Sequence, residues 1–307
     1  MINRNGFARE FAKNKSLFFM SAPAVLLIFV IQYIPMTGLV LAFKNFRYDL
    51  GIFGSAWSGL ANFRFLFSSG TGWRITRNTV LYNLINLITS QGLAIIIAVC
   101  ISEMVGLMYK KFCQSVIFLP YFISWVIVGS FVYNIFNYET GTMNHILKMM
   151  GQAPVNVYSI PKIWPVIICI FNAWKWCGYN SVIYIAAITA IDPECFEAAD
   201  IDGANIFQKV WYITFPSIRP TIIIMFLLQI GRILRGDFEM FYQIVGNNGQ
   251  LFNSTDVIDV YVFRSLMTSA NLGMTAAATL YQSVLCFIII IAVNHVVKKI
   301  ESDYALF

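Results

Sequence analysis

The sequence predicts an all-α, polytopic membrane protein with six transmembrane helices. Three observations carry the prediction. Of the 307 residues, 58% are hydrophobic and 12% charged, whereas soluble domains carry roughly 25% charged residues. The apolar residues fall into runs longer than a buried core helix requires. An acidic island at 192–216 stands between two of these runs, a water-seeking element set among membrane segments.

The elements follow in order. Residues 1–16 form a basic N-terminal segment (Arg4, Arg9, Lys13, Lys15), and 17–307 a single transmembrane domain. A hydrocarbon core of roughly 30 Å takes about 20 helical residues. Runs 17–43, 79–102 and 112–135 hold no charged residue and each is long enough. Run 163–191 is broken only by Lys175; 217–234 carries Arg219 and Arg232 toward its ends; 274–297 has His295 near its exit. The first run is expected to be retained, because no small-residue cleavage site follows it. Pro23, Pro35, Pro120 and Pro165 lie within or at the edges of these spans, where neighbours or water satisfy the carbonyls that proline frees.

Orientation rests on the placement of basic groups. With the N-terminus inside, ten Lys and Arg fall on inner segments, ten on outer ones, and Lys175 in the membrane. The inner groups sit on shorter segments and flank the helices tightly, as Lys110, Lys111, Lys298 and Lys299 do. That weighting puts both termini and the acidic island in the cytoplasm. Segment 44–78, with Tyr48, Phe53, Trp57 and Trp73 among its aromatics, reads as interfacial. Segments 137–162 and 235–273 read as loops with short helices.

Enzymatic chemistry finds little support. His145 and His295 are far apart in sequence, and the six cysteines lie in or beside apolar runs without metal-ligand or redox spacing. No Gly-rich phosphate loop occurs. Inside the spans, polar groups are costly unless they face water or a partner. The fourth run is the richest: Asn172, Trp176 and Tyr179 share one helical face. Lys175 points elsewhere, to snorkel or to meet a carboxylate. Tyr121 and Trp125 in the third run and Gln229 and Arg232 in the fifth add to the set. Rings beside amides suit a sugar, which stacks its C–H faces and hydrogen-bonds its hydroxyls. Asn83 and Asn86 read instead as ties between helices.

The island itself reads as a helix, a turn and a second helix. Asp192 is placed to cap the first, with Pro193 at its first position and Glu194 and Glu197 complementing its dipole. Gly203 permits a left-handed turn or a close backbone approach, and the second helix begins near Asn205. Glu197-Ala198-Ala199, then Gly203, Ile213 and Phe215-Pro216 at fixed spacing resemble the coupling loop of ATP-binding-cassette (ABC) importer permeases, which have Leu at the place of Phe215. The segments IPMTGLVLAFKNFRYDLGIFGS, WSGLANFRFLF and DVIDVYVFRSLM are similar to maltose-type, sugar-specific members, particularly the branch importing polysaccharide-derived oligosaccharides.

The resemblance implies a type I importer permease that pairs with a second homologous permease as a heterodimer. It implies two ATPase subunits, which would bind ATP and Mg while this chain holds no cofactor. It also implies an extracytoplasmic sugar-binding protein, an oligosaccharide substrate, no nucleic acid, and a bacterial cytoplasmic membrane. Carried onto this chain, Glu197, Ala198, Ala199, Asp200, Gly203, Ala204 and Pro216 would dock in the ATPase cleft. Tyr121, Asn172, Trp176, Tyr179, Gln229 and Arg232 would line the substrate path. Arg232 and Arg235 depart from the expected neutral run. Either they meet an acidic sugar, or they pair with Asp237 and Glu239. The rival class is a self-sufficient secondary transporter or a membrane enzyme. A coupled carrier should show acids within its spans, and the central spans have none.

Overall fold

In lipid every backbone N–H and C=O must find an internal partner, so long apolar runs become helices. The computed structural model describes residues 10, 13–269 and 271–300. Helix α1 (Lys15–Ile28) passes through a wide π turn, Phe29–Tyr33, into a 3₁₀ stretch, Ile34–Phe43. Pro35 stands in the first turn of that stretch, where a missing N–H costs nothing. A short antiparallel pair follows, β1 (Lys44–Asn45) with β2 (Ala56–Trp57), around α2 (Gly51–Gly54). This hairpin is a small departure from all-α. Lys44 closes it, donating to the carbonyls of Ile52 (3.0 Å) and Phe53 (2.8 Å) from a position over the Trp57 ring.

Helix α3 (Ala61–Ser68) leads into α4 (Thr71–Glu103), which starts before the uncharged run does. The third span is not the continuous helix that the sequence predicts. Helix α5 (Leu107–Phe118) gives way to a 3₁₀ turn, Leu119–Phe122, and α6 (Trp125–Phe136) leaves at 89°. Pro120 supplies no N–H there, and Ser124 caps the new helix by accepting from Ile127 N–H at 3.4 Å. Next come α7 (Thr142–Met149) and α8 (Trp164–Thr189), with Pro165 in the first turn of α8 rather than at a kink.

The island supplies α9 (Pro193–Ile201) and α10 (Ile206–Lys209). Through a π turn at Val210–Thr214, α10 continues into α11 (Phe215–Ile230). Ile206–Ile230 is therefore one apolar helix of 25 residues. The fifth span begins inside the island and ends four residues before 234, the end the sequence suggests. Helices α12 (Phe238–Val245), α13 (Phe252–Thr255), α14 (Ile258–Arg264) and α15 (Leu272–Ile300) complete the chain.

Among the described residues, four helices are long and apolar enough to cross a membrane, and five if the bent α5–α6 pair counts as one span. Helix α8, of 26 residues, is long enough, but Asn172, Lys175 and Asn180 interrupt its apolar composition. All three are buried. One core cluster joins α6, α8 and α12 through Trp125, Trp164, Ile168 and Phe241. A second joins α3, α4, α14 and α15 through Leu66, Ile75, Ile258 and Ala278, and a third joins α4, α8 and α11 through Ala98, Tyr184 and Ile218. The tightest crossing is at Gly178 on α8, where a Cβ would stand 2.0 Å from the Ile117 carbonyl oxygen.

Candidate functional site

Four of the six predicted path residues meet at one cavity. Asn172 and Trp176 from α8 face Gln229 and Arg232 at the end of α11 across about 440 Å³, with Asn86 of α4 and Asn180 completing an amide lining. That volume lies within the range of about 300–1,000 Å³ usual for small-molecule sites. Tyr121 and Tyr179 do not line it. They stack on each other at 4.4 Å and meet the Trp176 ring edge-on at 5.5 and 5.8 Å, which makes an aromatic shelf beside the cavity. The shelf exists because the break in the third span turns Tyr121 toward α8.

Lys175 neither snorkels nor meets a carboxylate. Its buried ammonium donates to the carbonyl of Tyr121 at 3.2 Å and to that of Ile123, and stands 5.0 Å from the Trp125 ring centroid. The break leaves these carbonyls without helical partners, and the lysine supplies them. Trp125 in turn donates its indole N–H to Asp237 Oδ2 at 3.0 Å, while Asp237 Oδ1 accepts from Met240 N–H at 3.0 Å and caps α12. One chain of contacts thus runs from α8 through the broken span to the turn after α11.

Neither Arg232 nor Arg235 forms an ion pair with Asp237 or any other acid among the described residues. The two arginines border the amide cavity and also a neighbouring one of about 820 Å³ between α11, α14 and α15. Asp259 beside that second space accepts from Gly236 N–H (2.6 Å) and the Gln282 amide. Burial pushes its carboxyl above the usual range, against those hydrogen bonds and the charge of Arg235.

Asn83 is a tie, as its sequence position suggests: its amide donates to the carbonyls of Ile233 (2.8 Å) and Arg235 (3.0 Å) just past α11. Asn86 is different. Its Oδ1 is buried on the cavity wall with no partner among the described residues, where the sequence reading made it a second tie. Its one available signal was its place one helical turn below Asn83.

At the opposite end of α11 the island has the predicted helix–turn–helix form. Asp192 accepts from Glu194 N–H at 3.0 Å, and Asn205 with Gln208 forms a reciprocal capping box at 2.8 and 2.9 Å. Gly203 adopts φ +74° with open space where a Cβ would lie, so it serves the left-handed turn and no close approach. Ala204 N–H to Ala199 O (2.9 Å) and Gly203 N–H to Asp200 O (3.1 Å) make the turn a Schellman motif. Asp200 pairs with Lys209 across it. Glu197, Ala198 and Pro216 are exposed; Ala199 and Ala204 are half-buried. Ile201 and Phe207, both about 85% exposed, sit among the acids as apolar projections that the sequence reading passed over.

Comparison with known proteins decides the family. Residues 92–302 match the model of the binding-protein-dependent transport system inner membrane component. The chain belongs to this family. It is a permease component. The protein LplB of Bacillus subtilis is 30% identical over 291 residues, covering 95% of this chain and 91% of that protein. The polygalacturonan/rhamnogalacturonan transport system permease protein YteP of the same organism is 30% identical over 291 residues, with 95% and 90% covered. A solved bacterial alginate ABC transporter, in complex with an alginate pentasaccharide-bound periplasmic protein, contains a chain of 30% identity and TM-score 0.85, covering 96% of this permease and 98% of that chain.

Proposed function

We propose that this permease carries oligosaccharides through an ATP-driven importer, and that the sugars it carries are acidic. The observation supporting this most directly is the pair Arg232 and Arg235, bordering a cavity lined by amides and Asp237, with no ion pair to either arginine among the described residues. A guanidinium offers two parallel donors that match a uronate carboxylate. Trp176, with the Tyr121–Tyr179 shelf beside it, presents ring faces to sugar C–H groups, and Asn86, Asn172 and Gln229 offer hydrogen bonds to hydroxyls. The polysaccharide substrates named for YteP and the alginate transporter are in keeping with that chemistry.

In this reading residues 17–307 form one domain of six spans, with α8 and the bent α5–α6 pair each crossing once. Both termini and the island lie on the cytoplasmic side of a bacterial cytoplasmic membrane. A second homologous permease completes the path as a heterodimer, a sugar-binding protein delivers substrate from outside, and two ATPase subunits bind ATP and Mg. The island docks in the ATPase cleft through Glu197, Ala198, Ala199, Asp200, Gly203, Ala204 and Pro216, with Ile201 and Phe207 as apolar anchors.

The unbroken helix Ile206–Ile230 gives a mechanical route. Motion of the island moves α11 as a lever whose far end carries Gln229 toward the cavity. The test reconstitutes the transporter and compares substrate-stimulated ATP hydrolysis with an unsaturated uronate disaccharide and a neutral one of equal length. The expected result is preference for the uronate, reduced at least tenfold by Arg232→Gln. Equal preference, or an equal effect of the variant on both sugars, would refute the acidic substrate and leave the importer reading standing.

A further inference from the structure

A groove of about 440 Å³ lies between α4 and the start of α8, away from the translocation cavity and from the island. Leu81, Tyr82 and Ile85 of α4 line it together with Pro161 and Pro165, Arg77 and Lys162 also border it, and the polar Asn78, Asn253 and Ser254 complete the lining. The cations stand at a defined depth. Arg77 lies two residues before the uncharged stretch 79–102, and Lys162 immediately before the one that opens at 163. Trp73, one turn from Arg77 on the same face, is 71% exposed, as an aromatic at headgroup level would be.

Below that level the exposed side chains are entirely apolar. Leu81, Ile85 and Ile88 continue the α4 stripe, and Ile163, Val166 and Ile170 form its counterpart on α8. Arg77 donates to Asn78 Oδ1 (3.2 Å) and the Asn253 carbonyl (3.5 Å) through a single terminal nitrogen, which leaves the rest of its five-donor fork uncommitted. Lys162 is exposed and enters no ion pair among the described residues.

We propose that this groove is a binding site for an anionic phospholipid. The phosphate sits between Arg77 and Lys162, and an acyl chain runs down the wall formed by Leu81 and Ile85. Charge and depth select this occupant. A phosphate at the headgroup plane meets two cations where the hydrocarbon begins, and the chain meets the apolar side chains of Leu81, Ile85 and Pro165. In the orientation proposed above the lipid belongs to the outer leaflet. The site itself does not depend on the nature of the transported sugar.

The test uses the full-length permease, extracted with its native assembly and placed in nanodiscs of phosphatidylcholine with or without phosphatidylglycerol of matched chains. Native mass spectrometry reads the retained lipid. Phosphatidylglycerol should be retained in preference to phosphatidylcholine. The double variant Arg77→Gln/Lys162→Gln should lower that retention roughly tenfold to thirtyfold, while Arg64→Gln/Lys148→Gln, which loses the same charge elsewhere, should not. Leu81→Trp keeps both cations and fills the groove, so it should also expel the lipid. Equal retention of the two lipids, or an unchanged double variant, would overturn the proposal. So would efficient cross-linking of Leu81→Cys to another permease chain, because the groove would then be a subunit interface.

Discussion

Replacing Lys175 with Met removes the group that satisfies two carbonyls at the break in the third span. Tyr121 O and Ile123 O would lose their only cationic donor, in a part of the bundle where Lys175 itself is 6% exposed. Leaving a buried acceptor unpaired costs about 1–3 kcal/mol. Hydrogen bonds within membrane bundles measure lower, about 0.6 kcal/mol on average and up to about 1.7, because loosened groups find other partners. The attraction to the Trp125 ring adds as much as about 2 kcal/mol when desolvated. Against these losses, Met no longer has to hide a charge, which offsets several kcal/mol at most.

The net expectation is a destabilisation of about 1–3 kcal/mol, or roughly 2–10 °C in melting temperature. Thermal unfolding of the purified permease, followed by tryptophan fluorescence, measures it directly. Because Tyr121 carries the aromatic shelf, the same variant should raise the substrate KM more than it lowers the maximal rate. Lys175→Gln, which keeps a shorter donor, should fall between wild type and Met. A Met variant with wild-type melting and wild-type KM would refute the assignment of Lys175 as the pin of the broken helix.

Three further predictions follow from single contacts. Gly178→Ala places a methyl 2.0 Å from the Ile117 carbonyl oxygen, so α5 and α8 must separate; overpacking of this kind costs about 1–3 kcal/mol or more, read as a lowered yield of folded protein and a lowered melting temperature. Gly203→Ala should cost about 1–2 kcal/mol in the island turn and Gly203→Val more, with no steric clash contributing because the space is open; uptake should fall in the order Gly, Ala, Val while the protein stays in the membrane. Asp256→Ala leaves Arg74 and Arg264 without their shared, fully buried carboxylate. Breaking such a pair costs about 3–5 kcal/mol, and a melting temperature within 2 °C of wild type, on the order of one kcal/mol, would refute it.

What the sequence determined alone was local. Run length and the scarcity of charge marked the helices, since a bilayer accepts little else. The island's caps, its left-handed glycine and its second helix were legible because each signal acts within one or two turns of its own residue. Pro120 and Ser124 together carried a break that run length concealed: proline and a capping serine within five residues outweigh an uncharged composition. The fourth run was marked by its length despite Lys175, while its buried Asn172 and Asn180 share a cavity lining with Asn86, Gln229 and Arg232 of other segments.

Only the tertiary structure decided partners. Lys175 could have turned to water or to an acid; it turned to the carbonyls that the neighbouring break exposes, more than fifty residues away. Asn83 and Asn86 look alike in sequence, yet one ties down the end of α11 and the other leaves an open acceptor on the cavity wall. Asp256 reaches Arg74 across 182 residues, and Asp237 accepts from the indole of Trp125, 112 residues away, while neither arginine pairs with it. A buried polar group costs the same wherever it lies in the chain, and what satisfies it depends on which distant backbone the packing of helices brings within 3 Å or so.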